Sequence, residues 1–221
     1  MSMNVVVSLG GSLLSPDDPA MLRQLGELLA GAADDRGLYV VTGGGATARR
    51  YIQAGRALGS PEAYLDEMGI VATRLNAMLM AITMGQSIDI PSTIEQAAAM
   101  TPPVVMGGTV PGHSTDAVGA MLAREVAAVR FVIATNVDGI YTDDPRRHSD
   151  ATRYDRISID ELRGMIPDDW TAAGTSVPID GIACRVIEEA SIATMVVNGS
   201  NLEALENAIY GREFYGTTIE V

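Results

Sequence analysis

The stretch NVVVSLGGSLL, residues 4–14, joins an apolar run directly to a pair of glycines. A second stretch of the same kind, LYVVTGGGATARR, occupies residues 38–50. Short apolar runs rich in β-branched residues are typical of strands covered on both faces of a parallel sheet. Glycines after such strands expose the backbone at the sheet edge where α/β proteins bind ligands. The two stretches therefore predict an α/β fold with a site at the carboxyl ends of its strands.

The alternation of strand-like and helical patterns continues along the rest of the chain. Strands are predicted at 4–9, 38–42, 103–106, 131–135 and 194–197. Helices are predicted at 19–33, 46–57, 63–84, 92–100, 116–127, 158–165, 177–190 and 201–210. The segment 141–156, which is rich in Asp and Arg, is predicted to form a surface loop or lid. Strands that alternate with helices in this way indicate the α/β class.

The composition excludes several classes of function. The 221 residues are 47% hydrophobic, which is enough for a sizeable core. The formal net charge of −13 argues against a nucleic-acid polymer as partner, although a small anion can still be held by local donors. All 15 basic residues are arginines. No apolar run approaches the length of a membrane span, so we expect no contact with a membrane.

The single cysteine, Cys184, cannot form a disulfide within the chain, which fits a reducing cytoplasm. It lies in a helical pattern, GIACRVIEEA, and we expect a buried structural thiol rather than a nucleophile. No histidine lies at metal-ligand spacing from it, and the sequence predicts no metal site built by the protein itself.

The three glycines at 43–45 form the better candidate for a phosphate site. They precede a predicted helix, whose free amino-terminal amides and dipole favour an anion. Arg49 lies four residues after Gly45 on the same helix face. We expect Gly44, Gly45 and Arg49 to bind phosphate, with a tight strand–helix turn as the alternative. The stretch matches neither the P-loop, which requires a lysine, nor the dinucleotide fingerprint.

The segment MGGTVPGHSTDAVGAML, residues 106–122, brings a loop rich in hydroxyl groups to the same edge. Ser114 or Thr115 can cap the helix that follows, and Asp116 lies in its first turn. Such a loop suits a sugar hydroxyl, a base edge or a second phosphate. For Asp116, an interaction with the helix dipole is the alternative interpretation.

The segment ATNVDGIYTDDPR, residues 134–146, follows the next predicted strand. The ring of Tyr141 suits packing beside a heterocycle, and ordinary packing under the loop is the alternative. Asp144 is a candidate to hold a ribose hydroxyl or a metal-bound water.

Taken together, these motifs resemble the amino acid kinase superfamily, and within it the archaeal-type uridylate (UMP) kinases. The resemblance runs from VVVSLGGSLL to the tail GTTIEV, and GGTVPGHSTDAV and TNVDGIYTDDP are its most specific elements. It implies a three-layer α/β/α sandwich around a mainly parallel sheet, formed by one domain over 1–221. The acceptor half would cover roughly 1–125 and the ATP half roughly 126–221.

The resemblance also implies a reaction and a set of site residues. The γ-phosphoryl group of ATP, bound with Mg²⁺, would pass to UMP in pyrimidine nucleotide biosynthesis, and the chain would form hexamers built from dimers. The implied ATP-side residues are Gly10, Gly11, Gly45, Arg49, Thr135, Asn136, Tyr141 and Asp144. The implied UMP-side residues are Gly44, Asp66, Thr109, Val110, Pro111, Gly112, His113, Ser114 and Thr115. Asp66 would accept from the ribose hydroxyls, and the implied catalytic residues are Arg49 and Asp116.

The chain departs from many members of the superfamily at two cationic positions. Ser8 stands where many carry a lysine before the first glycine pair, and Arg185 stands where relatives carry a lysine in a late helix. Arginine binds phosphate bidentately, so the second change is chemically tolerable. Two alternatives remain open: a related kinase with another acceptor, such as isopentenyl phosphate or carbamate, and a non-catalytic nucleotide- or oxyanion-binding protein. The apolar helix 69–84 is a candidate interface, with core packing of Met78, Leu79 and Met80 as the simpler alternative.

Overall fold

The computed structural model describes residues 3–166 and 179–221. Its strands are β1 (Asn4–Leu9), β2 (Gly37–Thr42), β3 (Val104–Met106), β4 (Arg130–Thr135), β5 (Arg156–Ser158), β6 (Thr194–Asn198) and β7 (Thr217–Glu220). In the described part of the chain these seven strands form one sheet in the order β3-β2-β1-β4-β6-β7-β5. Only β6 and β7 pair antiparallel in this sheet. The mainly parallel sheet predicted from the sequence is therefore confirmed.

Helices cover both faces of the sheet. They are α1 (Pro19–Asp35), α2 (Gly45–Ala57), α3 (Glu62–Thr83), α4 (Ile94–Ala99), α5 (Thr115–Glu125), α6 (Ile159–Met165), α7 (Gly181–Ala190) and α8 (Leu202–Tyr210), with a short 3-10 helix at Gly11–Leu13. One core packs α4, α5, α6 and α7 against the sheet around Phe131 and Ile133. The other packs α1, α3 and α8 around Leu25, Met80 and Leu205. The three-layer sandwich is thus confirmed. None of the helices in the described ranges is long and apolar enough to span a membrane.

Side-chain caps set several helix starts and shift them from the predicted positions. The predicted helix 92–100 begins at Ile94, because the hydroxyl of Thr93 accepts the amide of Gln96. The predicted helix 177–190 begins at Gly181, because Asp180 caps it. Residues 177 and 178 of that prediction lie outside the described residues.

Two strands, β5 and β7, were missed by the sequence analysis. β5 has three residues, of which only Ile157 is buried, so it is too short for a period-2 pattern to identify. β7 pairs antiparallel with β6 and parallel with β5, and so joins β5 to the sheet. The predicted loop 141–156 therefore ends in a strand, and Tyr141 pairs with Arg153 within it.

Candidate active site

The strand order of the sheet reverses between β1 and β4, which makes this position the topological switch point. β2 and β3 extend the sheet on one side of β1, whereas β4 lies on the other side. In open parallel sheets, ligands bind in the crevice beyond the carboxyl ends at such a switch point. The predicted site residues lie on α3, at the end of β4 and on the segments that follow β1, β2, β3 and β4. The fold therefore brings segments that are distant in sequence to one edge.

The two glycine loops pack backbone against backbone at this edge. A Cβ on Gly11 would lie 2.0 Å from the amide nitrogen of Gly45, and one on Gly45 would lie 2.0 Å from the carbonyl oxygen of Gly11. Gly45 also has φ of +58°, in the left-handed region that favours glycine. The close approach of the two loops therefore explains in part why glycine occupies these positions. It supports the interpretation of a tight turn at Gly45.

Some backbone amides of these loops are hydrogen-bonded within the fold, and others are free to bind a ligand. The amide of Gly10 donates to the carbonyl of Ala134 at 2.8 Å, and that of Gly43 donates to the carbonyl of Leu9 at 2.9 Å. Among the described residues, the amides of Gly11 and Gly44 have no hydrogen-bond partner. Gly44 lies at the amino terminus of α2, where free amides and the helix dipole favour an anion.

Arg49 and Arg185 are the two arginines singled out by sequence as phosphate-binding candidates. Arg49 is exposed on α2, one turn after Gly45. Arg185 is exposed in the first half of α7. Within residues 3–166 and 179–221, neither guanidinium forms an ion pair, so both remain able to bind an anionic ligand.

Asp116 lies half-buried at the start of α5, next to β1. The hydroxyl of Ser8 donates to its Oδ1 at 2.6 Å. Ser114, and not Thr115 or Asp116, caps α5 by accepting the amide of Ala117 at 3.0 Å. Burial raises the pKa of Asp116 to about 7, with a further increase from the Asp180 carboxylate and an opposing effect from the Ser8 hydrogen bond. Its carboxyl group therefore changes charge near neutral pH.

Asp180 is a site residue that the sequence analysis missed. Its Oδ1 accepts the amides of Ile182 and Ala183 at 2.8 and 3.0 Å, and its Oδ2 accepts the hydroxyl of Ser114. One carboxylate thus joins the caps of α5 and α7 and lies near Asp116. An acidic residue before a helical pattern indicates an N-cap, but its contact with a serine 66 residues away has no local sequence signal.

Polar side chains of α3 hold the loops after β2 and β3, and the sequence analysis missed these as well. The amide group of Asn76 donates to the carbonyl of Gly43 at 2.7 Å. The hydroxyl of Thr73 accepts the amide of Gly108 at 2.6 Å. Arg74 donates to the carbonyls of Gly108 and Thr109 at 3.1 and 3.2 Å. The sequence feature that could have identified these residues is a group of polar residues within an otherwise apolar stretch of the helix, TRLNAM at 73–78.

The residues predicted to bind the acceptor surround the loop between β3 and α5. Asp66 is exposed and lies on the same face of α3 as Ile70 and Thr73, which border Gly108. The remaining members are Thr109, Val110, Pro111, Gly112, His113, Ser114 and Thr115, all half-buried or exposed. Nδ1 of His113 is buried without a hydrogen-bond partner in the described ranges, so a polar partner is missing there.

Tyr141 lies half-buried after β4, on the ATP side implied by the resemblance. Its backbone pairs with Arg153, whose guanidinium stacks 4.1 Å from the ring centre of Tyr215. Burial is the main cause that raises the pKa of Tyr141, followed by the carboxylate of Asp138. Asp138 in turn accepts from Asn198 at the end of β6, at 2.9 Å. The phenol is therefore neutral at pH 7, and the backbone of Tyr141 is held by its pairing with Arg153.

Asp144 takes part in a turn of its own. Its Oδ1 accepts the amide of Arg146 at 3.0 Å, and its Oδ2 lies 3.5 Å from Nε of Arg147. The same turn brings Arg146 to 3.5 Å from the carbonyl of Asn136, next to Thr135 at the end of β4. Asp144 therefore stabilises its own loop in this structure, and its role in holding a ribose hydroxyl or a metal-bound water stays a prediction.

Cys184 is fully buried in α7, as predicted. Burial raises the pKa of its thiol to about 12. A thiol that stays protonated is a poor nucleophile, so the structure agrees with a packing role.

Comparison with known proteins identifies the class of protein. A model of the amino acid kinase family matches residues 3–198, and the chain belongs to that family. A uridylate kinase from Methanothrix thermoacetophila is 42% identical over 214 residues, covering 95% of this chain and 96% of the relative. The resemblance that the motifs carry is thereby confirmed.

Solved structures extend the comparison. The crystal structure of uridylate kinase from Archaeoglobus fulgidus matches with a TM-score of 0.88 at 40% identity, covering 98% of this chain and all of that one. The UMP kinase from Bacillus anthracis matches with a TM-score of 0.79 at 17% identity, covering 99% of this chain and 96% of that one. At that low identity the second match shows the shared fold alone.

Proposed function

We propose that this protein transfers the γ-phosphoryl group of ATP to UMP, giving ADP and UDP. The observation that carries the proposal is the convergence of Asp116 and two glycine loops at the switch point of the sheet. The uridylate kinase relatives at about 40% identity over nearly the full chain support it. They do not favour the alternatives of a non-catalytic store or an acceptor such as isopentenyl phosphate or carbamate.

Phosphoryl transfer requires two nucleotides held in line and an environment that offsets the charge on the moving group. We assign the ATP phosphates to Gly10, Gly11, Gly45 and Arg49. Because the Gly10 amide already donates to the carbonyl of Ala134, the donors would be the amides of Gly11 and Gly45 and the guanidinium of Arg49. Thr135, Asn136, Tyr141 and Asp144 would bind the rest of ATP. Gly44, Asp66 and residues 109–115 would bind UMP. The acceptor half, about 1–125, and the ATP half, about 126–221, would meet beyond the carboxyl ends of β1 and β4.

Asp116 is the acidic group next to the proposed phosphate site. Its carboxylate is held by Ser8 and would orient the cationic donors, including Arg49, around the transferring phosphoryl group. The chain has no lysine, and of its two departures from the superfamily pattern only Arg185 replaces the ammonium group with a guanidinium, whereas Ser8 leaves the first position without a cation. A guanidinium retains its charge at all relevant pH values and binds two phosphate oxygens at once.

Mg²⁺ would enter as the complex with ATP. The described residues contain no group of three or more metal-ligating side chains. Mg²⁺ at kinase sites is held by phosphates and one or two carboxylates, so Asp116 fits as such a carboxylate. The ion would supply neutralisation of the developing negative charge.

A coupled assay with Mg²⁺ and ATP tests the proposal. We expect UDP from UMP, with lower kcat/KM for CMP, dUMP and AMP. Isopentenyl phosphate and carbamate, offered in parallel, should remain unphosphorylated. Nucleotide binding without ADP formation would contradict the proposal and favour the non-catalytic alternative.

Ser8→Ala should move the pH dependence of the reaction. Because the Ser8 hydrogen bond lowers the pKa of Asp116, its removal raises that pKa. The acidic limb of the kcat–pH profile should therefore shift to higher pH. Kinetics between pH 5.5 and 9 measure the shift, with the exposed Ser87→Ala as control. Superimposable profiles for wild type and Ser8→Ala would refute the link.

We further propose that the chain assembles as a hexamer built from dimers through α3. The helix carries an exposed apolar stripe, defined as Tyr64, Met68, Val71, Leu75, Met78 and Ile82, between 36% and 65% exposed. Its spacing alternates four and three residues, the pattern of a helix that packs along a partner helix. Two copies related by a two-fold axis would cover each other's stripe.

Leu75→Asp should break this assembly, because it places a charge at the middle of the apolar stripe. Light scattering after size-exclusion chromatography should give a hexamer mass for wild type and a smaller species for the variant. Val129→Asp, a similarly exposed apolar position before β4, is the control and should retain the wild-type mass. An unchanged mass for Leu75→Asp would exclude the stripe as an interface.

The place of the protein in pyrimidine nucleotide biosynthesis follows from the proposed reaction, since UDP is a precursor of the other pyrimidine nucleotides. The cytoplasmic location, predicted from the single cysteine, stays a prediction.

A further inference from the structure

Arg74 donates to three backbone carbonyls in two segments with one guanidinium group. Its Nε donates to the carbonyl of Gly108 at 3.1 Å. Its Nη2 donates to the carbonyls of Thr109 and Ser92 at 3.2 and 3.3 Å. The side chain reaches from α3 to the loop after β3 and to the residues before α4, where Ser92 is held by Gln96. Because the donors of a guanidinium lie in one rigid plane, this contact fixes the direction of both segments.

The loop after β3 depends on such backbone contacts for its position. Gly107 and Gly108 have no side chains with which to pack. A Cβ on Gly107 would lie 2.6 Å from the hydroxyl oxygen of Thr73, so the loop lies directly on α3. The hydroxyl of Thr73 accepts the amide of Gly108, and the guanidinium of Arg74 donates to the carbonyl of Gly108. The two neighbouring residues of α3 thus hold the peptide at the point where the loop leaves the core.

We propose that Arg74 is a positioning residue for the acceptor nucleotide. It holds the start of the loop 109–115 in the conformation that binds UMP, and it acts through the backbone rather than by touching the nucleotide. This inference rests on the proposed function. Arg74 donates to no residue of the ATP side in the described ranges. Its effect should therefore be specific to the acceptor.

Initial rates with UMP and ATP varied in turn test the inference. Arg74→Met removes the donors and Arg74→Lys retains the charge without the planar fork. We expect the KM for UMP to rise about tenfold or more in Arg74→Met and partly recover in Arg74→Lys. The KM for ATP and the kcat at saturating UMP should stay within about twofold of wild type. Arg124→Met is the matched control, since Arg124 is exposed and only weakly paired with Glu189.

Calorimetric titration of UMP and thermal unfolding complete the experiment. A folded Arg74→Lys with unchanged affinity for UMP would overturn the inference, as would an equal rise of both KM values. UDP production by wild type together with either result leaves the proposed function intact. A wild-type protein that neither binds UMP nor forms UDP overturns both proposals.

Discussion

Asp116→Asn is expected to lower kcat by roughly 100- to 1000-fold, the range found when a charge-stabilising group is removed from an active site. The amide has the size of the carboxylate and retains one oxygen to accept from Ser8. The negative charge that would orient Arg49 and the Mg²⁺ of ATP is lost. Steady-state assays at saturating ATP and UMP measure the effect. A variant that keeps more than a tenth of the wild-type kcat would remove Asp116 from the mechanism.

The folding stability of the same variant provides the control. Asp116→Asn is expected to lower activity but to raise the unfolding free energy at alkaline pH. Folding raises the pKa of Asp116 from its ordinary value of 3.8 to about 7, mainly through burial. Between these values the folded protein binds a proton that the unfolded chain has released, so this group's contribution to stability falls as pH rises. Asp116→Asn lacks that dependence. Its unfolding free energy should therefore exceed that of wild type at pH 8, with the difference vanishing near pH 4. Urea unfolding at the two pH values measures both differences.

Gly11→Ala should cost about 3 kcal/mol of folding stability, the upper end of the range for an overpacked site. The new Cβ would lie 2.0 Å from the amide nitrogen of Gly45 and 2.8 Å from the carbonyl carbon of Gly43, and backbone cannot rotate away as a side chain can. The two glycine loops must separate. The melting temperature should fall by roughly 6–12 °C for a chain of this size. The KM for ATP should rise at the same time.

Gly31→Ala is the matched control for that substitution. Gly31 lies inside α1, and a Cβ there would meet no atom within 4 Å. Alanine should therefore raise stability by about 0.5–1 kcal/mol, because it restricts the unfolded chain and favours the helix. Differential scanning calorimetry separates the outcomes. Equal melting temperatures for Gly11→Ala and Gly31→Ala would show that the loops do not pack as described.

Much of the fold could be predicted because its main strands contain uninterrupted apolar runs. β2 and β4 contain four consecutive apolar residues and β1 and β6 contain three, and burial on both faces requires such runs. β5 and β7 contain three and four residues with mixed polarity. Their pairing depends on β6 as a neighbour in space, and no local pattern carries that information.

The candidate site divides in the same way. Gly10, Gly45 and Asp116 follow strands or open helices, so their position at one edge could be predicted. Asp180, Thr73 and Arg74 could not be predicted as site residues, because the contacts that bring them to the site, with Ser114 for Asp180 and with Gly108 for the other two, span 66, 35 and 34 residues respectively. The sequence analysis also missed the close backbone packing of Gly11 against Gly45. It is a contact between two loops, and only the three-dimensional structure shows why both positions lack a side chain.

The most direct test of the account is a crystal structure with UMP and a non-hydrolysable ATP analogue bound together with Mg²⁺. The account predicts the analogue's phosphates next to Gly10, at the amides of Gly11 and Gly45 and beside Arg49, with the γ-phosphoryl group next to Asp116. It predicts UMP along residues 109–115 with its ribose at Asp66. Phosphates bound elsewhere, with the region beyond the carboxyl ends of β1 and β4 empty, would contradict it.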